Sequence, residues 1–311
     1  MDRQRKIYVA GHRGLVGSGL VRRLEKEGFS HILTRTHQEL DLTRQKEVEE
    51  FFGAERPDYV ILAAARVGGI GANSAYPADF IMENLQIQCN VIDAAFKSKV
   101  KKLLFLGSSC IYPRECPQPI REESLLCGPL EQTNEAYALA KIAGLRMCSY
   151  YNRQYGTDYI SVMPCNLYGP GDNFDLESSH VLPALLRKFH EAKVQGNPSV
   201  TVWGSGKPLR EFMHVDDLAE ACLFLMERCQ KEEVFNVGTG REISIWDLAQ
   251  LIGKVTGFSG EICLDNSHPD GTVRKVVDSS RIRALGWEPK IDLEAGIRNT
   301  YAWFLECYKK E

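Results

Sequence analysis

The sequence predicts an α/β fold, a doubly wound parallel sheet joined to a smaller α/β lobe, on three observations. Across the first 165 positions, short apolar runs alternate with longer amphipathic segments, the pattern of strands joined by helical crossovers. The runs are apolar without alternation, as strands covered on both faces are. Glycines at positions 11, 14 and 17 punctuate the turn between the first run and the first amphipathic segment, where a tight turn feeds a helix.

Lys6-Ile7-Tyr8-Val9-Ala10 reads as a short buried strand. Leu15, Val16, Leu20, Val21 and Leu24 then form one helical stripe, which Gly28 ends. His31 to Thr34 is a second strand, Thr43 to Ala54 a helix with Val48, Phe51 and Phe52 inward, and Tyr59 to Ala63 a third strand. Pro77 suits the first turn of a long helix to Ser98. Lys102 to Gly107 is the fourth strand, Asn134 to Tyr155 a helix and Tyr159 to Met163 the fifth strand. Helical crossovers between such strands are right-handed and make the sheet parallel. The pattern breaks after Asn166, at the loop Gly169-Pro170-Gly171-Asp172-Asn173. A helix over Leu182–Lys193 and a strand over Val200–Trp203 follow. Regular α/β sequence returns with a helix that Asp216 can cap, a strand over Val234–Gly238, and a helix opened by the Ser244…Asp247 box and ended near Gly257. The expectation is a Rossmann-type domain from 1–165 and 212–257, with a smaller substrate lobe from 166–211 and 258–311.

A chain of 311 residues with 44% hydrophobic and 25% charged residues buries a full core, which excludes disordered and collagen-like classes. The net charge of −3 argues against a broadly basic surface for nucleic acid or membrane, so neither is expected as a partner. The ten cysteines include no C-x-x-C pair. They read as reduced, mostly buried thiols with no metal site. Met1 to Lys6 is polar, and no apolar run approaches the roughly 20 residues of a membrane helix. A soluble, cytoplasmic protein is expected.

Gly11-His12-Arg13-Gly14-Leu15-Val16-Gly17 has the spacing of a dinucleotide loop, in which backbone closes on a diphosphate at a helix N-terminus. An acid at the end of the second strand would accept the ribose hydroxyls of NAD. Here the stretch is Leu33-Thr34-Arg35-Thr36-His37, without one. Arg35, His37 and Arg13 suit a 2′-phosphate, so NADP(H) is expected, with Asp41 toward the adenine edge.

Tyr137 and Lys141 stand at i and i+4, on one helical face. They follow Gly107-Ser108-Ser109-Cys110 at the end of the fourth strand, and ligands of parallel sheets bind at strand C-termini. An ammonium beside a phenol is expected to lower its pKa. A serine hydroxyl could hold the substrate oxygen. Together these groups could move a proton while a nicotinamide moves a hydride.

Glycine loop, serine and Tyr/Lys pair resemble the extended short-chain dehydrogenase/reductase family over essentially the whole chain. Ala64-Ala65-Arg66-Val67-Gly68-Gly69-Ile70, Leu106-Gly107-Ser108-Ser109-Cys110-Ile111-Tyr112-Pro113, Asn166-Leu167-Tyr168-Gly169-Pro170 and Trp203-Gly204-Ser205-Gly206 narrow the likeness to members that epimerise and reduce a GDP-linked 4-keto sugar. The resemblance implies Cys110 as epimerisation base, His180 as acid, and Tyr137 as proton donor to the C4 oxygen, assisted by Ser108 and Lys141. It implies cofactor contacts at Leu42, Leu106, Gly107, Ser108, Ser109, Lys141, Pro164, Asn166, Leu167 and His180, besides the glycine loop. It implies substrate contacts at Ser108, Ser109, Cys110, Asn166, Lys188, Trp203, Arg210 and Asp270. His37 stands where members carry Arg. A cation near Cys110 is needed for it to act as a base, and Lys141 and the cofactor are expected to bear on it. A homodimer through the helix near 77–98 and the Tyr137 helix is implied. Two alternatives stay open: a nucleotide-sugar 4-epimerase or 4-reductase on the same scaffold, which would not need Cys110, and a non-catalytic NADP-sensing protein, which would commonly lack the Tyr/Lys pair.

Overall fold

A computed structural model of the chain describes residues 1–229, 234–267 and 270–308. The chain runs β1 (Ile7–Ala10), α1 (Leu15–Lys26), β2 (Ile32–Leu33), α2 (Gln45–Glu55), β3 (Tyr59–Leu62), α3 (Ile70–Ala75), α4 (Pro77–Lys97), β4 (Lys102–Leu106), α5 (Glu135–Tyr155) and β5 (Tyr159–Pro164). It continues with β6 (Asn166–Tyr168), α6 (Val181–Gln195), β7 (Ser199–Trp203), β8 (Leu209–His214), α7 (Val215–Arg228), β9 (Val234–Val237), β10 (Glu242–Ser244), α8 (Ile245–Thr256), β11 (Glu261–Asp265), β12 (Arg274–Lys275), α9 (Ser280–Ala284) and α10 (Leu293–Tyr308).

Six strands form one sheet in the order β2-β1-β3-β4-β5-β9, parallel throughout. The order reverses between β1 and β3, which opens a crevice at their C-terminal ends. Successive strand residues face opposite cores. Ile7, Val9, Leu104 and Leu106 pack with Leu20 and Leu24 of α1 and Leu218 and Cys222 of α7. Tyr8, Ala10, Leu103 and Phe105 pack with Phe52 of α2, Val91 of α4 and Leu145 of α5. Helices on both faces explain the uninterrupted apolar strands. Burying each large apolar side chain contributes about 1.5–3 kcal/mol. A side chain at Gly144 would meet the Phe105 ring at 2.5 Å and Gln88 at 2.6 Å. The bare backbone lets α5 lie close to α4 and β4, and Gln88 donates to the Ala140 carbonyl at 2.6 Å.

The smaller sheet has the order β10-β8-β12, with β6 also on β8, and β7 pairs with β11. Their core joins Leu182, Leu186 and Phe189 of α6 to Leu248, Ala249 and Ile252 of α8 and to Ile297 and Phe304 of α10. Residues 245–256, expected with the large sheet, therefore pack in the smaller lobe. Conversely Ile282 and Trp287, expected in the smaller lobe, pack in the α1/α7 core. The fully buried Glu211 lies at the joint. Its carboxylate accepts from the Gly240 and Val277 amides at 2.6 and 3.0 Å, so β8 is tied to the segments after β9 and β12.

Several local expectations differ. The second strand is two residues long. α7 starts one residue before Asp216, and the His214 ring, not Asp216, caps it by accepting from the Asp216 amide at 3.2 Å. The Ser244 box is present, with its hydroxyl accepting from the Asp247 amide at 3.0 Å, and Gly257 ends α8 at φ +72. All ten cysteines are free, but only Cys148, Cys165, Cys222 and Cys229 are buried, fewer than their apolar neighbours suggest.

Candidate active site

The glycine turn joins β1 to α1. Gly11 adopts φ +86, and a Cβ there would stand 2.7 Å from the Ala64 backbone. A Cβ on Gly17 would collide with the Gly11 carbonyl. No side chain caps α1, its first turn carries no acid, and the His12 Nδ1 is buried without a partner. Bare backbone, open first-turn amides and the positive end of a helix fit a diphosphate. Gly107 follows β4 where any side chain would strike Met163, which keeps that strand end close to β5.

Arg13 is exposed and makes no ion pair among the described residues, although its charge reaches Glu39. Arg35 is held differently. It pairs with Glu55 at 2.7 Å, donates to the Thr34 carbonyl at 2.8 Å and covers the Phe51 ring at 5.2 Å. The end of β2 is therefore not acid-free in space, because α2 delivers Glu55 to it. His37 is exposed, 3.9 Å from Asp41. Asp41 is occupied by the Thr43 amide and hydroxyl at 3.0 and 2.7 Å. Leu42 is buried, with its carbonyl held by Asn90 at 2.9 Å.

At the end of β4 a single turn, Ser109–Ile111, is capped by Ser108, whose hydroxyl accepts from the Cys110 amide at 3.2 Å. The Ser108 side chain is near enough to the Tyr137 phenol to favour its ionised form slightly. Lys141 is buried and donates to the Leu106 carbonyl at 2.8 Å, with Nζ 4.9 Å from the Phe105 ring centroid and 5.9 Å from that of Tyr137. Burial, rather than the neighbouring ammonium, governs both groups. Desolvation pushes the Lys141 amine down to about 7. Burial and then the charge of Cys110 push the Tyr137 phenol up, against the influence of the Ser108 side chain. The lowering of Tyr137 expected from Lys141 is not found, because burial of the phenol, the largest influence on it, acts in the opposite direction.

Lys275, from β12, is the cation that reaches Cys110. Its Nζ lies 3.5 Å from Sγ, and Asn134 Nδ2 also lies 3.5 Å from Sγ. Lys141, expected in this role, instead binds the Leu106 carbonyl. The Asn134 Oδ1 is buried without a partner. Neither Lys275 nor Asn134 carries a functional signal in the sequence. Lys275 belongs to no motif, and only its place beside an apolar Val276-Val277 pair could have drawn notice. His180 opens α6. His180 is exposed to solvent, yet the surrounding protein and then the Lys275 charge push it below the ordinary histidine range. Ser109 and Pro164 are buried behind these groups, and Asn166 gives its Nδ2 to the Glu211 carbonyl at 2.9 Å. Leu167, beside it on β6, is paired to Met213 and packs against the α1/α7 core.

A second cluster lies in the smaller lobe. Lys188 of α6 stands 4.5 Å over the Trp203 ring, and burial lowers its amine. Arg210 of β8 donates to the Leu209 carbonyl at 2.9 Å. Asp270 accepts from the Ser205 amide and hydroxyl, both at 2.7 Å, which hold its carboxyl below the usual range. Lys188 and Trp203 form one contact and Ser205 and Asp270 another, with the Arg210 charge felt at Asp270. No group of three or more potential metal ligands occurs among the described residues.

A Rossmann-type sheet with a diphosphate turn and a Ser–Tyr–Lys cluster at its C-terminal edge defines a nicotinamide-dependent enzyme of the short-chain reductase type. The chain belongs to the NAD dependent epimerase/dehydratase family, whose profile matches residues 7–238. It is 60% identical to GDP-L-fucose synthase 1 of Arabidopsis thaliana, over 98% of this chain and 94% of that one. Among solved structures it resembles a GDP-L-fucose synthetase from Naegleria fowleri bound to NADP, with TM-score 0.93 and 32% identity over 99% of this chain and 95% of that one. It also resembles a GDP-mannoheptose C4 reductase from Campylobacter jejuni with NADP bound, with TM-score 0.91 and 44% identity over 98% and 99% of the two chains.

Proposed function

We propose that the chain inverts C3 and C5 of GDP-4-keto-6-deoxy-D-mannose and reduces C4 with NADPH, forming GDP-L-fucose. The observation that carries this reading is the thiol of Cys110, held between Lys275 and Asn134 beside the Ser108–Tyr137 pair. A simple reductase needs the pair but has no use for a thiol at that place.

The 4-ketone acidifies the protons at C3 and C5. Cys110 takes each as a base, and His180 returns one to the opposite face of the enolate, which inverts the centre. Bound NADPH supplies the hydride to C4. Tyr137 gives its proton to the C4 oxygen as that oxygen becomes an alcohol, and Ser108 orients both. Lys141 fixes the end of β4 through the Leu106 carbonyl. In the smaller lobe, Arg210 and Lys188 meet the diphosphate, Asp270 accepts from the nucleoside and Trp203 lies beside it. Desolvation by the surrounding protein and then the Lys275 charge lower the His180 pKa.

The division into a dinucleotide lobe on the large sheet and a substrate lobe on the smaller sheets is part of this reading, with α8 assigned to the latter. So is a homodimer through α4 and α5. No helix among the described residues is long and apolar enough to cross a membrane, and ten free thiols suit the reducing cytoplasm.

The test is incubation with GDP-4-keto-6-deoxy-D-mannose and NADPH in deuterated water, with the product read by NMR. GDP-L-fucose deuterated at C3 and C5 is expected. Cys110→Ser should lose exchange at both carbons by orders of magnitude while retaining part of the hydride transfer, and His180→Gln should slow reprotonation. A C4-reduced product with unchanged C3 and C5 would instead make the chain a C4 reductase, and wild-type exchange in Cys110→Ser would leave the thiol a packing group.

A further inference from the structure

We propose that Lys275 is the positioning residue of the epimerisation base: its ammonium is the counter-ion that holds Cys110 as a thiolate facing the cleft. This rests on the epimerase–reductase reading and supplies the charge which that reading requires.

Two donors converge on one sulfur, Lys275 Nζ and Asn134 Nδ2, each at 3.5 Å. An ammonium and an amide NH₂ have only hydrogens to offer, so a sulfur that meets both is placed to accept charge-assisted bonds as an anion. The neighbouring cation on β12 is otherwise engaged. Arg274 is bonded to both carboxylate oxygens of Glu242. Lys275 is one residue further along the strand and so faces the other way. It pairs with no carboxylate among the described residues.

The remaining charged and titratable groups around Cys110 do not replace Lys275. Tyr137 approaches from α5, and burial keeps its phenol protonated. His180, at the start of α6, is itself depressed, by desolvation first and then by Lys275. Arg114 and Glu131 line the same cavity but are paired to each other at 3.4 Å. Only the thiolate form of a cysteine takes a proton. Each turnover of the base converts that thiolate to a thiol beside an unchanged ammonium, and the proton then leaves by exchange with water.

The experiment follows iodoacetamide alkylation of the Cys110 peptide by mass spectrometry, in the full-length protein without substrate, across a pH series. Lys275→Met and Lys275→Gln should move the midpoint of the Cys110 profile to higher pH by about one unit or more. Lys275→Arg should bring it back toward wild type. Buried Cys148 should stay protected throughout, which reports an intact fold. With substrate, Lys275→Gln should slow deuterium exchange at C3 and C5 by about tenfold at neutral pH and recover as pH rises, since one pH unit is tenfold in thiolate population. An unmoved midpoint, or a raised KM for the GDP-sugar alone, would overturn the proposal and make Lys275 a substrate contact. Wild-type exchange in Cys110→Ser would sink the reading of the reaction and leave a shifted alkylation profile standing, so the two failures are separable.

Discussion

Burial opposes charge at both Tyr137 and Lys141, and that opposition can be measured. If Tyr137 is the proton donor to C4 proposed above, Tyr137→Phe should lower kcat by roughly 10²–10⁴-fold, with NADPH affinity by fluorescence titration nearly unchanged. Retention of more than about a third of the wild-type rate would remove Tyr137 from the reaction. Lys141 carries a stability consequence. Its amine titrates near 7 in the folded chain, against an ordinary value of 10.5. Between those values the unfolded chain holds a proton that the folded chain has released, so stability rises with pH across that window and the cost of burial is fullest below it. Lys141→Met should therefore gain most in Tm relative to wild type at or below neutral pH. That advantage should shrink by about 2–4 °C for each kcal/mol recovered as pH approaches 10.5. A Tm difference independent of pH would show that the buried amine is not the cause. At this scale the sequence exposed Tyr137 and Lys141 through their helical spacing and Cys110 through its strand-end motif. It hid Lys275, because the contact spans 165 positions and only the folding of β12 against β8 creates it.

Among elements, the proposed reading gives cofactor choice to the β1–α1 turn and the end of β2. Arg13 makes no ion pair among the described residues, whereas Arg35 is already engaged by Glu55. Arg13→Ala should weaken NADPH by about tenfold or more, the worth of one charge-assisted phosphate contact, and leave NADH almost unchanged. Arg35→Ala should cost less, because binding a phosphate must first compete with Glu55. Equal losses for NADPH and NADH in both variants, by calorimetry, would show that neither side chain reads the 2′-phosphate. The strands of the large sheet were legible because Ile7–Ala10 and Leu103–Leu106 are buried on both faces and so carry unbroken apolar runs. The affiliation of α8 was not, since its stripe of Leu248, Ala249 and Ile252 would suit either core. Glu55 escaped notice because it ends α2 and only the sheet order brings it beside Arg35.

In the molecule as a whole, α4 and α5 pack together and still leave Met82, Leu139 and Tyr150 about half exposed, at 56%, 43% and 51%. If this face joins two copies, Leu139→Glu should shift the protein to monomers in sedimentation at micromolar concentration, while a mass unchanged from wild type would move the interface elsewhere. The placement of Glu211 has a different reach. Its two amide donors come from Gly240 and Val277, and the α1/α7 core it adjoins is completed by Phe235, Ile282 and Trp287. A ribosome that has delivered only the first 165 residues has released neither the edge strand β9, nor α7, nor the tryptophan that closes the core. The apolar side of α1 and the strands beneath it then stay uncovered at least until α7 is made. A face made early in synthesis therefore waits for partners more than a hundred positions on, and Ile282 and Trp287 complete a core that Ile7 and Val9 begin.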